Sequence, residues 1–139
     1  MVLIRASCWI SGETFSPYLA EKKTDLYFAR KNEPGEIGNV GRYRGQPIPY
    51  GRAVLEAPFN SQTKPGLILP EQWIVDVLSL HIDSLRSCGA TSIELDLNVT
   101  WQDQCNLAFD ASFLQKLAKL SIDFSISCYE GSIDEQEEG

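Results

Sequence analysis

The chain has 139 residues, 43% of them hydrophobic and 22% charged, which is typical of one globular domain with a substantial core. No apolar run approaches the ~20 residues of a membrane-spanning helix, so we expect no insertion into a membrane. Nineteen acidic residues against twelve basic ones give a net charge of −7. Phosphate binding favours clustered Lys and Arg, so this balance argues against a general affinity for nucleic acid.

The charge is unevenly distributed along the chain. Residues 1–70 carry a balance of +3, residues 71–129 carry −5, and residues 130–139 carry another −5. A basic protein partner is therefore the more natural match for the C-terminal half.

The first thirty residues predict two strands and a short helix. Residues 2–10 alternate with a period of two, which predicts a strand. Its inward residues are Val2, Ile4, Ala6, Cys8 and Ile10. Ser16 is a good N-cap and Pro17 suits the first helical position, so a helix is predicted to about residue 22. Residues 25–29, DLYFA, predict a second strand.

Residues 31–51 are the least regular part of the chain, with five glycines and three prolines. This composition indicates either a long loop or an irregular hairpin, and a long loop in a compact domain is usually functional or mobile. Arg42 and Arg44 lie there with Tyr43 and Tyr50, a combination that can stack or bind anions. The segment is either a solvated loop with local packing or a contact loop for a partner.

The middle of the chain predicts a third strand and the longest helix. The strand is expected over residues 52–57 and a polar connection over 60–66. The helix is expected over residues 70–87, with Gly89 as its stop. Six residues share its apolar face and three more widen it. The six are Ile74, Val77, Leu78, His81, Leu85 and Cys88, and the three are Trp73, Leu80 and Ile82.

Three strands and one helix are predicted from residue 91 onward. Strands are expected over residues 91–101, 105–109 and 122–129, and Asp110 is a good N-cap for a helix over 111–120. That helix is expected to bury Phe113, Leu114, Leu117 and Leu120, and the last strand Ile122, Phe124, Ile126 and Cys128. Residues 130–139 predict an acidic, disordered tail.

The element order is therefore βαββαββαβ, which is an α+β pattern. It predicts a single domain over residues 1–129, with one mixed or antiparallel sheet of about six strands and two or three helices on one face. Because the strands alternate instead of being continuously apolar, we expect the other sheet face to be open.

The strand over residues 91–101 carries the strongest candidate for a site. Glu94, Asp96 and Asn98 share its polar face at intervals of roughly 7 Å. Asp123 belongs to a similar row on the last strand, together with Ser125 and Ser127, and three residues of the first strand could join it. These three are Arg5, Ser7 and Trp9. The face is either plain solvated surface or a docking surface for Lys and Arg of a protein partner.

No pattern in the sequence indicates catalysis, a metal or a cofactor. His81 is the only histidine, and it is expected two helical turns from Cys88, too far for direct activation. Cys8, Cys88, Cys105 and Cys128 form no C-x-x-C pair, and their apolar surroundings are typical of buried thiols in a reducing cytoplasm. A paired-carboxylate hydrolase needs a cleft, which an open sheet face does not supply.

Three parts of the chain resemble a family of bacterial domains of unknown function, family 4279. They are the opening strand running into WISGETFSPYLA, the central amphipathic helix, and the closing QCNLAFDASFLQKLAKLSIDFSISCYE. Residues 31–66 lie outside the resemblance. It implies an α+β fold and supplies no catalytic residues. In size, layout and acidity the chain also resembles immunity proteins of bacterial toxin systems.

We therefore expect a non-catalytic, cytoplasmic immunity protein that binds and neutralises a cognate, basic toxin domain. The predicted contact residues are Glu94, Asp96, Asn98, Asp123, Arg42, Tyr43, Arg44 and Tyr50. The alternative is a small-molecule or peptide binding module, which predicts a concave pocket lined by Trp9, Trp101 or tyrosines. An enzyme is the weakest of the three hypotheses.

Overall fold

The computed structural model describes residues 2–58 and 69–131. Within these ranges the chain forms five strands, three α-helices and one short 3₁₀ helix, Gly41–Tyr43. The strands are β1 Val2–Gly12, β2 Arg30–Asn32, β3 Gly51–Glu56, β4 Ser92–Trp101 and β5 Asp123–Glu130. The helices are α1 Pro17–Thr24, α2 Pro70–Ser87 and α3 Ala111–Leu120.

The five strands form one mixed sheet in the order β2-β3-β1-β4-β5. Neighbouring strands run antiparallel except β4 and β5, which are parallel and are joined through α3. This confirms the predicted α+β class, with five strands where about six were expected. The long central strands β1 and β4 pair over ten residues, from Val2–Trp101 to Ser11–Ser92.

All three helices contribute to a core on one face of the sheet. Ala20 of α1, Leu78 of α2 and Phe113 of α3 belong to one buried cluster with alternate residues of β1 and β4. The strand residues of this cluster include Ala6, Cys8, Ile10, Ile93, Leu95, Leu97 and Val99. Because the strand side chains alternate, the residues between them lie on the opposite face.

The predicted helix boundaries follow from their caps. The Ser16 hydroxyl accepts a hydrogen bond from the Leu19 amide at 3.3 Å, and Pro17 opens α1. The Asp110 carboxylate accepts one from the Phe113 amide at 2.8 Å and opens α3. Both side chains bind an amide that has no partner inside its helix, which is why the chain turns into a helix at these points.

The prediction of a second strand over residues 25–29 is wrong, since β2 begins only at Arg30. Asp25 adopts the left-handed conformation, with φ of 59°, and ends α1. The Phe28 amide donates to the Glu21 carboxylate at 3.0 Å instead of to a strand. The side chain of Phe28 is buried, which explains the strand-like apolar pattern.

The prediction of a strand over residues 105–109 is also wrong. This segment has no regular secondary structure, although Cys105, Leu107 and Phe109 are partly buried and pack against the core. The alternation of its side chains is real, but no neighbouring strand pairs with its backbone in the described part of the chain.

Four residues that were predicted to be buried are exposed, and one core residue of α2 was missed. Leu80 is 79% exposed, because it lies on the outer side of α2, and Leu114 of α3 is 47% exposed. Ile126 is 39% exposed and Cys128 is also exposed, because β5 lies at the edge of the sheet. Val75 of α2 is fully buried in the core.

Of the two alternatives for residues 31–51, the structure has the irregular hairpin, which connects β2 to β3. Reciprocal hydrogen bonds join its arms, from the Gly35 amide to Ile48 and from the Ile48 amide to Glu36, at 2.7 and 2.8 Å. A Cβ at Gly51 would overlap the Phe15 carbonyl oxygen, so only glycine fits where the hairpin returns to the sheet. The predicted polar connection over residues 60–66 and residues 132–139 of the predicted tail lie outside the described residues.

Candidate partner-binding face

The sheet face opposite the helices, called the helix-free face here, is a grid of polar and charged side chains. The register places them in rows that cross the strands. One row reads Arg30, Val54, Trp9, Glu94 and Asp123 from β2 to β5. The next row reads Glu56, Ser7, Asp96 and Ser125, and the third begins at Arg5 and continues through Asn98 and Ser127.

The part of this face on β4 and β5 is acidic, and we call it the acidic half. It consists of Glu94, Asp96, Asn98, Asp123, Ser125 and Ser127. Parallel pairing of β4 and β5 places Asp123 beside Glu94 and Ser125 beside Asp96, as predicted if the two strands were close. Four of the eight predicted site residues therefore lie together.

Two carboxylates of the acidic half converge on one hydroxyl group. The Ser125 hydroxyl oxygen lies 2.7 Å from Glu94 Oε1 and 3.1 Å from Asp96 Oδ1. A hydroxyl has a single proton to donate, so it satisfies one carboxylate fully and the other only in part. Within the described residues the ion pairs are Lys31–Glu21 and Lys116–Asp76, so neither Glu94 nor Asp96 has a cationic partner there.

The part of the face on β2, β3 and β1 is basic, and Trp9 is its centre. The guanidinium groups of Arg30 and Arg52 each lie 5.2 Å from the centroid of the Trp9 ring. Val54, which pairs with Trp9 across the sheet, is fully buried. We call Trp9, Arg30 and Arg52 the arginine–tryptophan cluster. The helix-free face therefore carries opposite charges at its two ends.

A pocket of about 190 Å³ lies between the two ends. The side chains of Ser7, Trp9, Arg30 and Asp96 are among its lining. The rest of the lining consists of Arg5, Glu56, Asn98, Ile4, Ala6, Ala57, Pro58 and Pro70. Charged groups of both signs thus face one small cavity, which we call the central pocket.

The four predicted residues of the hairpin form a separate group. The rings of Tyr43 and Tyr50 meet edge to face, with centroids 6.0 Å apart, and the Arg42 guanidinium lies 5.5 Å from the Tyr43 centroid. Arg44 is exposed. Arg42, Tyr43 and Tyr50 line a cavity of about 500 Å³ that also includes Arg52.

The structure does not bring the hairpin group into contact with the acidic half. The hairpin continues from β2 and β3, whereas the acidic half lies on β4 and β5, with β1 between them. Strands are spaced by roughly 4.8 Å, so β3 and β4 lie roughly 10 Å apart. Arg52 connects the hairpin cavity to the arginine–tryptophan cluster, and so the hairpin borders the basic end of the helix-free face.

Sequence reasoning missed Arg30, Arg52 and Glu56. The alternation Arg52, Val54, Glu56 within the predicted third strand was available, and it places both charged residues on the polar face. Arg30 could not be found in this way, because it lies outside the predicted second strand.

Two ionisable groups on the helix side have altered pKa values. Burial, with a smaller contribution from Glu94, raises the pKa of the Cys8 thiol to about 12. Burial also raises the pKa of Glu71, in the first turn of α2, and a backbone hydrogen bond opposes this. Glu71 is only 4% exposed, and its Oε2 has no hydrogen-bond partner. Neither group lies on the helix-free face.

An ion pair between Lys31 and Glu21 tethers the start of the hairpin to α1. Burial favours the neutral form of Glu21, but hydrogen bonds from Lys31 Nζ and the Phe28 amide outweigh it and lower the pKa of Glu21. The pair joins Lys31 Nζ to Glu21 Oε1 at 2.6 Å. It therefore holds the start of the hairpin against the first helix.

Residues 2–58 and 69–131 contain no group of three or more His, Cys, Asp or Glu side chains that could hold a metal ion. In the same part of the chain no helix is long and apolar enough to cross a membrane. The four cysteines are free thiols.

No family model, curated protein or solved structure matches the chain.

Proposed function

We propose that this chain is a non-catalytic immunity protein that neutralises a bacterial toxin by direct binding through the helix-free face. In this proposal the acidic half accepts Lys or Arg side chains of a basic toxin domain. The hairpin residues Arg42, Tyr43, Arg44 and Tyr50 contact the same partner at the opposite end of the face.

The observation that carries the proposal is the convergence of Glu94 and Asp96 on the single Ser125 hydroxyl. Two carboxylates on one strand have one proton donor between them and no cationic partner among the described residues. A Lys or Arg of a partner would supply the missing donors, and such charge-assisted bonds are roughly twice as strong as neutral ones. Surfaces of this kind also accelerate association with a basic protein.

The rigidity of the site supports protein docking further. Glu94 and Asp96 project from β4, a central strand whose alternate residues Leu95 and Leu97 are fully buried. Their positions are thus set by the core, and little conformational entropy is lost on binding.

The test is co-expression with the protein encoded beside this chain. We expect the neighbour to arrest bacterial growth when produced alone, and co-production of this chain to restore growth. The two purified proteins should form a complex whose association slows as the salt concentration rises, because the attraction is electrostatic. A neighbour that is harmless and does not bind would contradict the proposal.

A further inference from the structure

The central pocket has a shape and a charge pattern that a protein-docking surface does not require. Ser7 is a small residue between two large ones, since Arg5 and Trp9 are its neighbours on the same face of β1. All three of these residues line the pocket of about 190 Å³. The floor of the pocket is therefore made by a central strand and not by a loop.

Carboxylates lie on the two sides of this floor. Glu56 of β3 and Asp96 of β4 both pair with Ser7 in the register, so they flank it in one row. Their backbones lie roughly 10 Å apart, two strand spacings, which leaves room for a small group between them. Asp96 Oδ1 contacts Ser125, and Glu56 makes no ion pair within the described residues.

Cations lie at the two ends of the same floor. Arg5 belongs to the row on one side of Ser7, and Arg30 to the row on the other. The Arg30 guanidinium is positioned over the Trp9 ring, 5.2 Å from its centroid, and both residues line the pocket. A guanidinium held on an aromatic face keeps its N–H groups available for a carboxylate.

We propose that the central pocket binds a small zwitterion whose carboxylate and ammonium groups are attached to the same carbon atom, as in a free α-amino acid. The carboxylate of the ligand accepts hydrogen bonds from Arg30. Its ammonium group donates to Asp96 and Glu56, and its side chain lies against Trp9. A simple anion would leave Asp96 and Glu56 without a cation, and a simple cation would leave Arg30 without an anion, whereas a zwitterion satisfies both charges.

Three other cavities fit this chemistry less well. The larger ones, of about 520 and 500 Å³, are lined mainly by residues 36–43 and their neighbours on the hairpin, and they contain basic but few acidic groups. The cavity of about 220 Å³ at the start of α2 and α3 has Glu71 and Asp110 but no cation. Among these four cavities, only the central pocket presents Arg and carboxylate groups from strands on several sides.

This inference does not depend on the proposed toxin partner. Ser7 and Arg30 belong to the central pocket but not to the acidic half, so variants at these positions test the ligand alone. Conversely, loss of toxin binding in a variant of Asp123 would say nothing about the pocket.

The experiment is an NMR titration of the full chain with free α-amino acids, followed through the indole N–H resonance of Trp9. The chain has three tryptophans, and the spectrum of a Trp9→Phe variant assigns the resonance. We expect saturable shifts at Trp9 with at least one amino acid. The same amino acid with its amine acetylated, or with its carboxylate converted to an amide, should bind at least about tenfold more weakly, because each loses one charge-assisted interaction.

Two variants separate the pocket from general surface effects. Ser7→Met fills the floor without changing charge, and Arg30→Met removes the carboxylate-binding group; each should weaken binding at least about tenfold. Ser127→Met makes the same substitution as Ser7→Met on β5, outside the pocket, and should bind as the parent does. Should Ser7→Met fail to fold, Arg30→Met alone decides.

Absence of saturable shifts with every amino acid at millimolar concentration would overturn the proposal. Equal binding of the blocked derivatives would overturn it too, since a zwitterion would then not be recognised. Unchanged affinity in Arg30→Met would place any binding elsewhere.

Discussion

The two faces of the sheet are made by the same strands, yet they have different physical roles. On the helix side, Leu95, Leu97 and Val99 of β4 are fully buried beneath the helices. On the helix-free face, Glu94, Asp96 and Asn98 alternate with them and carry charge or hydrogen-bonding groups. The comparison shows that one strand can contribute core residues with one face and binding residues with the other. Because successive side chains point to opposite faces, each set can change without altering the other.

The largest effect should come from the helix side. Leu78 of α2 is fully buried, so Leu78→Ala should lower the free energy of unfolding by about 3 kcal/mol, from lost burial and the cavity left behind. Leu80→Ala is the matched control on the same helix, because Leu80 is 79% exposed; it should change stability by less than about 0.5 kcal/mol. Urea unfolding measures both. Equal losses in the two variants would refute the assignment of the buried face of α2.

A smaller loss is expected at the basic end of the helix-free face. Trp9→Leu removes the stacking of two guanidinium groups, each worth about 0.5–1 kcal/mol, and should destabilise the fold by about 1–2 kcal/mol. A double-mutant cycle with Arg30→Met and Arg52→Met isolates this contribution from the loss of apolar area. If the cycle gives no coupling between the ring and the arginines, the cluster does not stabilise the fold.

Glu71 is a buried ionisable residue on the helix side, and its contribution to the stability of the fold depends on pH. Its pKa is raised by burial, so the folded state binds the proton more tightly than the unfolded state. The stability that the protonated form contributes is present below the ordinary pKa of 4.5 and is lost as pH rises through the higher pKa of the folded state. Glu71→Gln removes this dependence.

The expected result for Glu71→Gln is a gain of about 1 kcal/mol over the parent at neutral pH, from relief of an unsatisfied buried acceptor, and a smaller difference at pH 4. Glu13→Gln removes one charge from an exposed turn and corrects for the change in net charge. A stability difference that does not change between the two pH values would contradict the buried, raised-pKa state of Glu71.

The cysteine side chains differ in solvent exposure between the centre of the sheet and its edge. Cys8 and Cys88 are buried, whereas Cys128, on the edge strand β5, is exposed. Burial also raises the pKa of Cys8 to about 12, so very little of it is the reactive thiolate at pH 8. We expect iodoacetamide to modify Cys128 first in the native protein, and Cys8 only after unfolding. Peptide mass spectrometry reads the order, and early modification of Cys8 would contradict the placement of β1.

Much of the fold could be predicted from the sequence, because local signals coincide with the tertiary structure. The N-caps Ser16 and Asp110 and the alternation of β1 and β4 lead to the right elements. The second strand could not be placed correctly, because the Phe28 amide is bound by the Glu21 side chain seven residues earlier. Nothing in the local pattern of DLYFA reveals that interaction.

The candidate site, like the fold, could be predicted from the sequence only in part. Glu94, Asp96 and Asn98 follow from the alternation of one strand, and Asp123 joins them because β5 pairs with β4. The arginine–tryptophan cluster needs the order β2-β3-β1 and its register, which periodicity does not give. The central pocket is lined by residues of four different strands, so it becomes visible only when the strands are aligned.

The central claim is that the acidic half binds a basic toxin domain, and the most direct test is the affinity of a charge-reversed face. Glu94→Lys with Asp96→Lys should leave the fold intact and weaken the complex with the toxin at least about 100-fold, because like charges then meet across the interface. Glu13→Lys with Asp83→Lys makes the same change in net charge at exposed positions away from this face. Isothermal titration calorimetry of both variants should show the large loss only in the first; equal affinities in the two variants would remove the acidic half from the interface.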